Sequence, residues 1–239
     1  MKSTNVGCNI SSTFAGILLY ADDIMLLAPT VTALQIMLAA CELELKSIGM
    51  QINVQKSACM RFGYRYDSSC SSIVSLSGNV LQWVTSFKYL GIVIVSGKRF
   101  RCLFDACKKK FFGSFNAIFG RVGRLASEDV ILHLTRTKCL PVLLYAIEAC
   151  PLLSRDIHSL EFVINRCLMK LFKTSSLTIV NECCDFFGFA PIRLTIETRT
   201  VKFLERYISS ENIVCSCFVR IATAQLNGLL LATANRPSL

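Results

Sequence analysis

The chain has 239 residues, 53% of them hydrophobic and 18% charged, with a net charge of +10. That length suits one large domain or two small ones and is enough to bury a substantial core. The basic excess points to a polyanionic partner, of which nucleic acid is the commonest. The 13 cysteines are an odd number, scattered through a chain too long to need staples, which excludes a secreted disulfide scaffold. Together with the lack of a clear signal peptide, this predicts an intracellular protein of the nucleus or cytoplasm. No Cys-x-x-Cys occurs. Cys183-Cys184 and Cys215-Ser216-Cys217 come nearest to metal-ligand spacing, with His133 and His158 as the sole histidines, so the thiols read as small buried hydrophobes rather than zinc ligands. The first apolar run begins at Phe14 and ends in two aspartates, which fits a secretory signal poorly. No run approaches the roughly 18 uncharged apolar residues of a membrane span. The richest stretch, Leu140 to Leu153, contains Pro141, Glu148 and Pro151, so no membrane partner is expected.

In chain order, residues 5–10 suit a short strand. The apolar runs 14–19 and 24–28 then form a pair of strands around an acidic tip. From Thr32 to Ile48 the residues Leu34, Met37, Leu38, Cys41, Leu45 and Ile48 recur at helical spacing, with Thr30 or Thr32 as cap and Gly49 as stop. Ala58 to Phe62 is strand-like, and a polar, serine-rich loop follows from Arg65 to Ser72. Ile73–Leu76 and Val80–Val84 flank Gly78-Asn79, a two-residue hairpin signal. Phe87 to Ile94 reads as a further strand pair bent at Gly91.

After about residue 98 the pattern becomes helical. Phe104, Cys107, Phe111, Phe115 and Ile118 lie on one apolar face. Ser127, followed by Glu128 and Asp129, opens a second helix in which Pro141 predicts a kink. Further helices are expected from Ser154, from about Leu177 to Phe187 with a stop at Gly188, and after Pro191, with a frayed tail from Asn235. No internal repeat is evident.

The chemistry concentrates at Tyr20-Ala21-Asp22-Asp23, where two adjacent carboxylates sit between apolar strands. Successive residues on a straight strand point to opposite faces, so a turn or bulge is needed to bring both acids to one place. Held close, two like charges raise each other's pKa unless a cation is bound, and paired acids of this kind can hold divalent ions against phosphates. A second feature is electrostatic. Between Lys98 and Arg124 the cations Lys98, Arg99, Arg101, Lys108, Lys109, Lys110, Arg121 and Arg124 face Asp105 alone. Such a cluster contacts a nucleic-acid backbone without regard to sequence and weakens with salt.

The block of apolar residues around Tyr20-Ala21-Asp22-Asp23 resembles the active-site hairpin of reverse transcriptases. The helix ending at Gly49, followed by Ile52-Asn53 and Lys56-Ser57, resembles the family's next palm motif. Phe87-Lys88-Tyr89-Leu90-Gly91-Ile92 is similar to its primer-grip hairpin. Leu140-Pro141-Val142-Leu143-Leu144-Tyr145 resembles the segment that follows the polymerase in non-LTR, LINE-type retrotransposons. The likeness covers roughly residues 14–200. It implies an α+β fold: a partial polymerase palm of antiparallel strands plus one helix (residues 1–97), an all-helical thumb (98–174) and a C-terminal helical region (175–239).

The resemblance also implies roles. Asp22 would be a metal ligand for Mg2+ and Asp23 a second or supporting acid, both catalytic. Lys56 would approach the phosphates of an incoming dNTP. Tyr20, Leu90 and Gly91 would lie against an RNA template and DNA primer, and the basic cluster would follow the duplex. A palm of this family takes a further aspartate from a strand upstream of the hairpin, yet no Asp or Glu precedes Asp22 here. The expectation is therefore the C-terminal part of a reverse transcriptase, inactive alone and completed by an N-terminal half of the same polyprotein. The alternative is a non-catalytic, nucleic-acid-binding remnant of a retroelement.

Overall fold

The computed structural model describes residues 6–123 and 125–234. The fold is α+β, with short, mostly antiparallel strands in the N-terminal part followed by helices. The chain divides into two compact units. The first comprises residues 1–88, 94–100 and 207–224, and the second residues 89–93, 101–206 and 225–239.

In the first unit, β1 (Asn9–Ile10) pairs with β2 (Thr13–Phe14), and β3 (Ile17–Tyr20) pairs with β4 (Asp23–Leu26) as a separate two-stranded ribbon. The ribbon's base is tied back by Cys8 N donating to Leu27 O at 3.0 Å and Leu27 N to Gly16 O at 2.7 Å. The Phe14 ring and the buried Met37 fill the space beside Gly16, where a Cβ would come within 2.6 Å of the ring. Met37 belongs to α1 (Val31–Ser47), whose N-terminus is capped by the Thr30 hydroxyl accepting from Ala33 N at 3.1 Å. This satisfies one of the amide donors that a helix start leaves without partners.

The same helix is fastened to the strands that follow. β5 (Ala58–Cys59) runs parallel to β7 (Val80–Trp83), which pairs antiparallel with β6 (Ile73–Val74). Gln35 of α1 donates to Val74 O (2.7 Å) and accepts from Val74 N (2.8 Å), so one side-chain amide pairs with the outer edge of β6. Glu42 accepts from Leu76 N at 2.9 Å. Leu38, Cys59, Ile73 and Leu81 form the buried cluster beneath, joined by Leu26, Leu34, Ile52 and Trp83.

The turn between β6 and β7 corrects the two-residue expectation. Ser75 N donates to Asn79 O at 2.8 Å, which extends the pairing and leaves Leu76, Ser77 and Gly78 as a three-residue loop. Gly78 supplies its left-handed residue, at φ +80°. The Ser75 hydroxyl accepts from Asn79 N and contacts Ser77 Oγ, closing a loop that a two-residue turn would not accommodate.

A three-stranded sheet of order β10-β9-β8 follows, from β8 (Ser86–Tyr89), β9 (Ile92–Val95) and β10 (Arg101–Leu103). The second unit then builds its core from α2 (Asp105–Val122), α3 (Glu128–Leu134), α4 (Leu140–Leu143), α5 (Ser154–Leu171), α6 (Leu177–Phe186) and α7 (Ile192–Ile208). Phe111 and Phe115 are completely buried at its centre, with Leu143, Ile147, Leu160 and Val180. α8 (Ile213–Cys217) lies against β2 in the first unit, and α9 (Val219–Ala234) closes the described chain.

Two local expectations change in this unit. Ser127 occupies the cap position of α3 but makes no capping hydrogen bond. Pro141 does not kink a continuous α-helix; it sits in the first turn of α4, where its missing N–H is tolerated. The preceding residues Thr135–Cys139 wind as a π-helix, and Thr135 and Thr137 bond back to Ile131 O and His133 O, each at 2.8 Å. The whole helical stretch Glu128–Ala149 is long and apolar enough to cross a membrane by length and composition, which the charged and proline residues had argued against. Ile131, Leu132, Cys139, Leu143 and Leu144 within it are buried in the second unit's core, the usual place of such a helix in a globular protein.

Candidate functional site

The acidic hairpin is tight. Tyr20 and Asp23 are directly opposed, so Ala21 and Asp22 alone make the turn. Ala21 takes φ +52°, a left-handed conformation that costs a non-glycine residue about 1–2 kcal/mol. The turn interrupts the strict alternation of strand faces: Asp22 lies at its second position and Asp23 begins β4 across from Tyr20. All three are exposed, Tyr20 at 62%. Leu19 and Ile24, opposed on the ribbon's other face, are exposed as well, at 67% and 36%.

The chemistry of the donors can be weighed against a divalent ion. Carboxylate oxygens are the hard ligands that Mg2+ prefers, but the ion demands a near-octahedral set of six. Among the described residues no group of three or more His, Cys, Asp or Glu side chains could hold a metal, so Asp22 and Asp23 fit part of such a centre and not the whole. The thiols do not add ligands. Burial pushes Cys59 and Cys184 up to about 11 and Cys167 up to about 12, leaving them neutral at physiological pH.

Lys56 also belongs to the first unit. It sits on a turn organised by Asn53, whose side-chain oxygen accepts from Lys56 N at 3.2 Å and whose carbonyl accepts from Ser57 N at 3.0 Å. The lysine is exposed just before β5.

Leu90 and Gly91, which connect β8 to β9, belong to the second unit. Both take positive φ, +46° and +86°, the pattern of a type I′ turn whose twist matches that of the strands it joins. Leucine is a poor residue for that conformation, and a specific contact holds it. Tyr145 Oη donates to Leu90 O at 3.2 Å, and a Cβ on Gly91 would come within 2.9 Å of the Tyr145 ring. Gly91 is thus required both for its backbone conformation and for the closeness of that ring. Tyr145 is itself followed by Ala146 at φ +52°. Its partnership links residues 55 positions apart. The sequence placed Tyr145 in a motif without suggesting this role, and its sole trace was that the same chain carries both motifs.

The basic cluster is shared between the units. Lys98 and Arg99 are exposed in the first. Arg101, Lys108, Lys109, Lys110 and Arg121 belong to the second, and Arg124 lies outside the described residues. Lys108 differs from its neighbours: it pairs with Asp105 at 2.7 Å and donates to Ser159 Oγ at 3.0 Å, so it braces α2 against α5. Lys109, Lys110 and Arg121 remain exposed on α2. Lys170 of α5, which sequence periodicity did not single out, reaches the same helix, donating to Asn116 Oδ1 at 2.8 Å and lying 4.9 Å above the Phe119 ring.

A family model described as reverse transcriptase (RNA-dependent DNA polymerase) matches residues 8–94. That span is a little over a third of the chain. It contains Tyr20, Asp22, Asp23, Lys56, Leu90 and Gly91, and it stops before the basic cluster. The segment is therefore similar to a reverse transcriptase domain, a family that binds template and primer and generally uses divalent metals. No curated protein matches the chain.

Proposed function

We propose that the chain is the C-terminal portion of a non-LTR retrotransposon reverse transcriptase, with the end of the palm in residues 1–97, a thumb-like region in 98–174 and a helical extension in 175–239. The observation that carries this reading is the tight hairpin presenting Tyr20, Asp22 and Asp23 within the segment similar to a reverse transcriptase. Asp22 and Asp23 hold part of the divalent-ion centre, and Mg2+, when bound, supplies charge stabilisation to nucleotidyl transfer. Lys56 faces the phosphates of the dNTP. The Leu90-Gly91 turn lets the backbone approach the primer, and Lys109, Lys110 and Arg121 follow the duplex. The retrotransposon subtype draws support from Tyr145, which joins the Leu140–Tyr145 block to the hairpin resembling a primer grip.

The incomplete donor set supports a further point: this chain alone does not polymerise, and its catalytic centre needs an aspartate from a separate strand. Binding tests the nucleic-acid part of the reading. An RNA–DNA hybrid is expected to bind the chain with an affinity that falls steeply with salt. Lys109→Gln with Lys110→Gln should weaken every hybrid sequence alike and reduce the salt slope by about 1.8, at roughly 0.9 per phosphate contact on a B-form duplex. Unchanged affinity and slope would remove α2 from the interface.

A further inference from the structure

A second surface of the first unit is not accounted for by the hairpin or by α2. Residues 61–63 and 96–97 run side by side: Phe62 and Gly97 form a parallel bridge, Gly63 N donates to Gly97 O at 3.0 Å, and Ser96 Oγ donates to Arg61 O at 2.8 Å. Arg61 fastens the adjoining loop by donating to Ser68 O at 3.4 Å and Cys70 Sγ at 3.0 Å. This pairing gathers aromatic rings at the surface. Phe62 and Phe100 lie 5.9 Å apart and are 43% and 48% exposed, and Tyr64 is 89% exposed. Arg65, Lys98 and Arg99 are exposed between them. No acid occurs in residues 61–66 or 96–100, and Asp67 is the nearest in sequence.

Exposed rings interleaved with unopposed cations suit one kind of partner. A folded protein or a lipid surface would match either the apolar or the basic character. Unpaired bases on a phosphodiester chain match both, because every base offers a face for stacking and every link a negative charge. A duplex would present its phosphates but keep its base faces stacked. We propose that the surface around Phe62, Tyr64, Arg65, Lys98, Arg99 and Phe100 binds single-stranded nucleic acid, with Tyr64 as a stacking platform and Lys98 and Arg99 on the backbone. This interface is separate from the proposed duplex contacts of α2 and does not depend on nucleotidyl transfer.

The test is fluorescence anisotropy on the full chain with labelled single-stranded 12-mers of uridine and of thymidine, titrated at several salt concentrations. Tyr64→Ala should weaken binding roughly five- to a hundredfold, the range found for loss of one base–aromatic stack. Tyr64→Phe, which keeps the ring, should retain wild-type affinity. Lys98→Ala with Arg99→Ala should weaken binding and lower the salt slope by about 1.4, at roughly 0.7 per contact on a single strand. The two oligonucleotides show which sugar the surface accepts, and patch-dependent binding of either supports the proposal. Failure of both to bind the wild-type chain would overturn it, as would wild-type affinity in Tyr64→Ala, since the oligonucleotides would then be held elsewhere. Circular dichroism of each variant confirms the fold, which the high exposure of Tyr64 should leave intact. None of these outcomes alters the Asp22 hairpin, so failure here and failure of the polymerase reading are separable.

Discussion

The two units of this molecule are built to different standards. The second gathers α2 to α7 around Phe111 and Phe115 in one continuous core. The first rests on a small cluster around Leu38, Cys59, Ile73 and Leu81, with several two-residue strands and exposed Leu19, Ile24, Ile36, Val80 and Phe62. Most of the groups with candidate chemistry are in the first unit, and most of the buried apolar surface is in the second. The first unit compensates with polar fastenings such as Gln35 on β6, Glu42 on Leu76 and Asn53 beneath Lys56. Such bonds add about 0.5–1.5 kcal/mol each. They hold geometry more than they hold the fold.

That contrast can be broken by mutation. The largest effect is expected at the helical core. Phe111→Ala should cost about 3–5 kcal/mol, read as a lowered denaturant midpoint, and hydrogen exchange should place the loss in α2 and α5 while leaving β6 and β7 protected as before. Ile73→Ala removes the centre of the smaller cluster and should cost about 2–4 kcal/mol, with faster exchange in α1 and β7 and none in α5. Uniform loss across both units in either variant would show that they fold as one body.

Smaller effects sharpen the picture at the turns. Gly91→Ala forces a side chain into a left-handed residue beside the Tyr145 ring and should cost about 1–3 kcal/mol. Combining it with Tyr145→Ala should cost less than the sum of the two, because the ring that the new methyl meets is gone; strict additivity would mean that the ring is not in contact. Tyr145→Phe removes one hydrogen bond, a loss of about 1 kcal/mol, and should speed exchange at the Leu90 turn. Thr30→Ala should cost about 1 kcal/mol through the lost cap of α1, visible as fraying of its first turn.

What the sequence made legible was local. Helix α1, its cap at Thr30, the acidic hairpin, the bend at Gly91 and the helical character beyond residue 98 all follow from spacing and turn chemistry that neighbouring residues carry themselves. The misses have a common cause in partners far along the chain. Lys108 reads as one of three surface lysines until Ser159 and Asp105 are seen to hold it. Tyr145 acquires a role through Leu90, and Phe62 meets Phe100 across a pairing that no periodicity announces. The turn at Gly78 was recognised as a turn, but its length depends on the Ser75 hydroxyl, whose hydrogen bond with Asn79 no residue-type rule assigns.

The central claim is that Asp22 and Asp23 belong to a polymerase centre that this chain does not complete. Primer extension on a primed RNA template with Mg2+ or Mn2+ tests it most directly, comparing the chain as it stands with the chain joined to an N-terminal reverse transcriptase segment carrying the missing aspartate. The account predicts dNTP incorporation by the joined protein, abolished by Asp22→Ala, and none by the chain alone. Incorporation that survives Asp22→Ala, or Asp22-dependent incorporation by the unjoined chain, would contradict it.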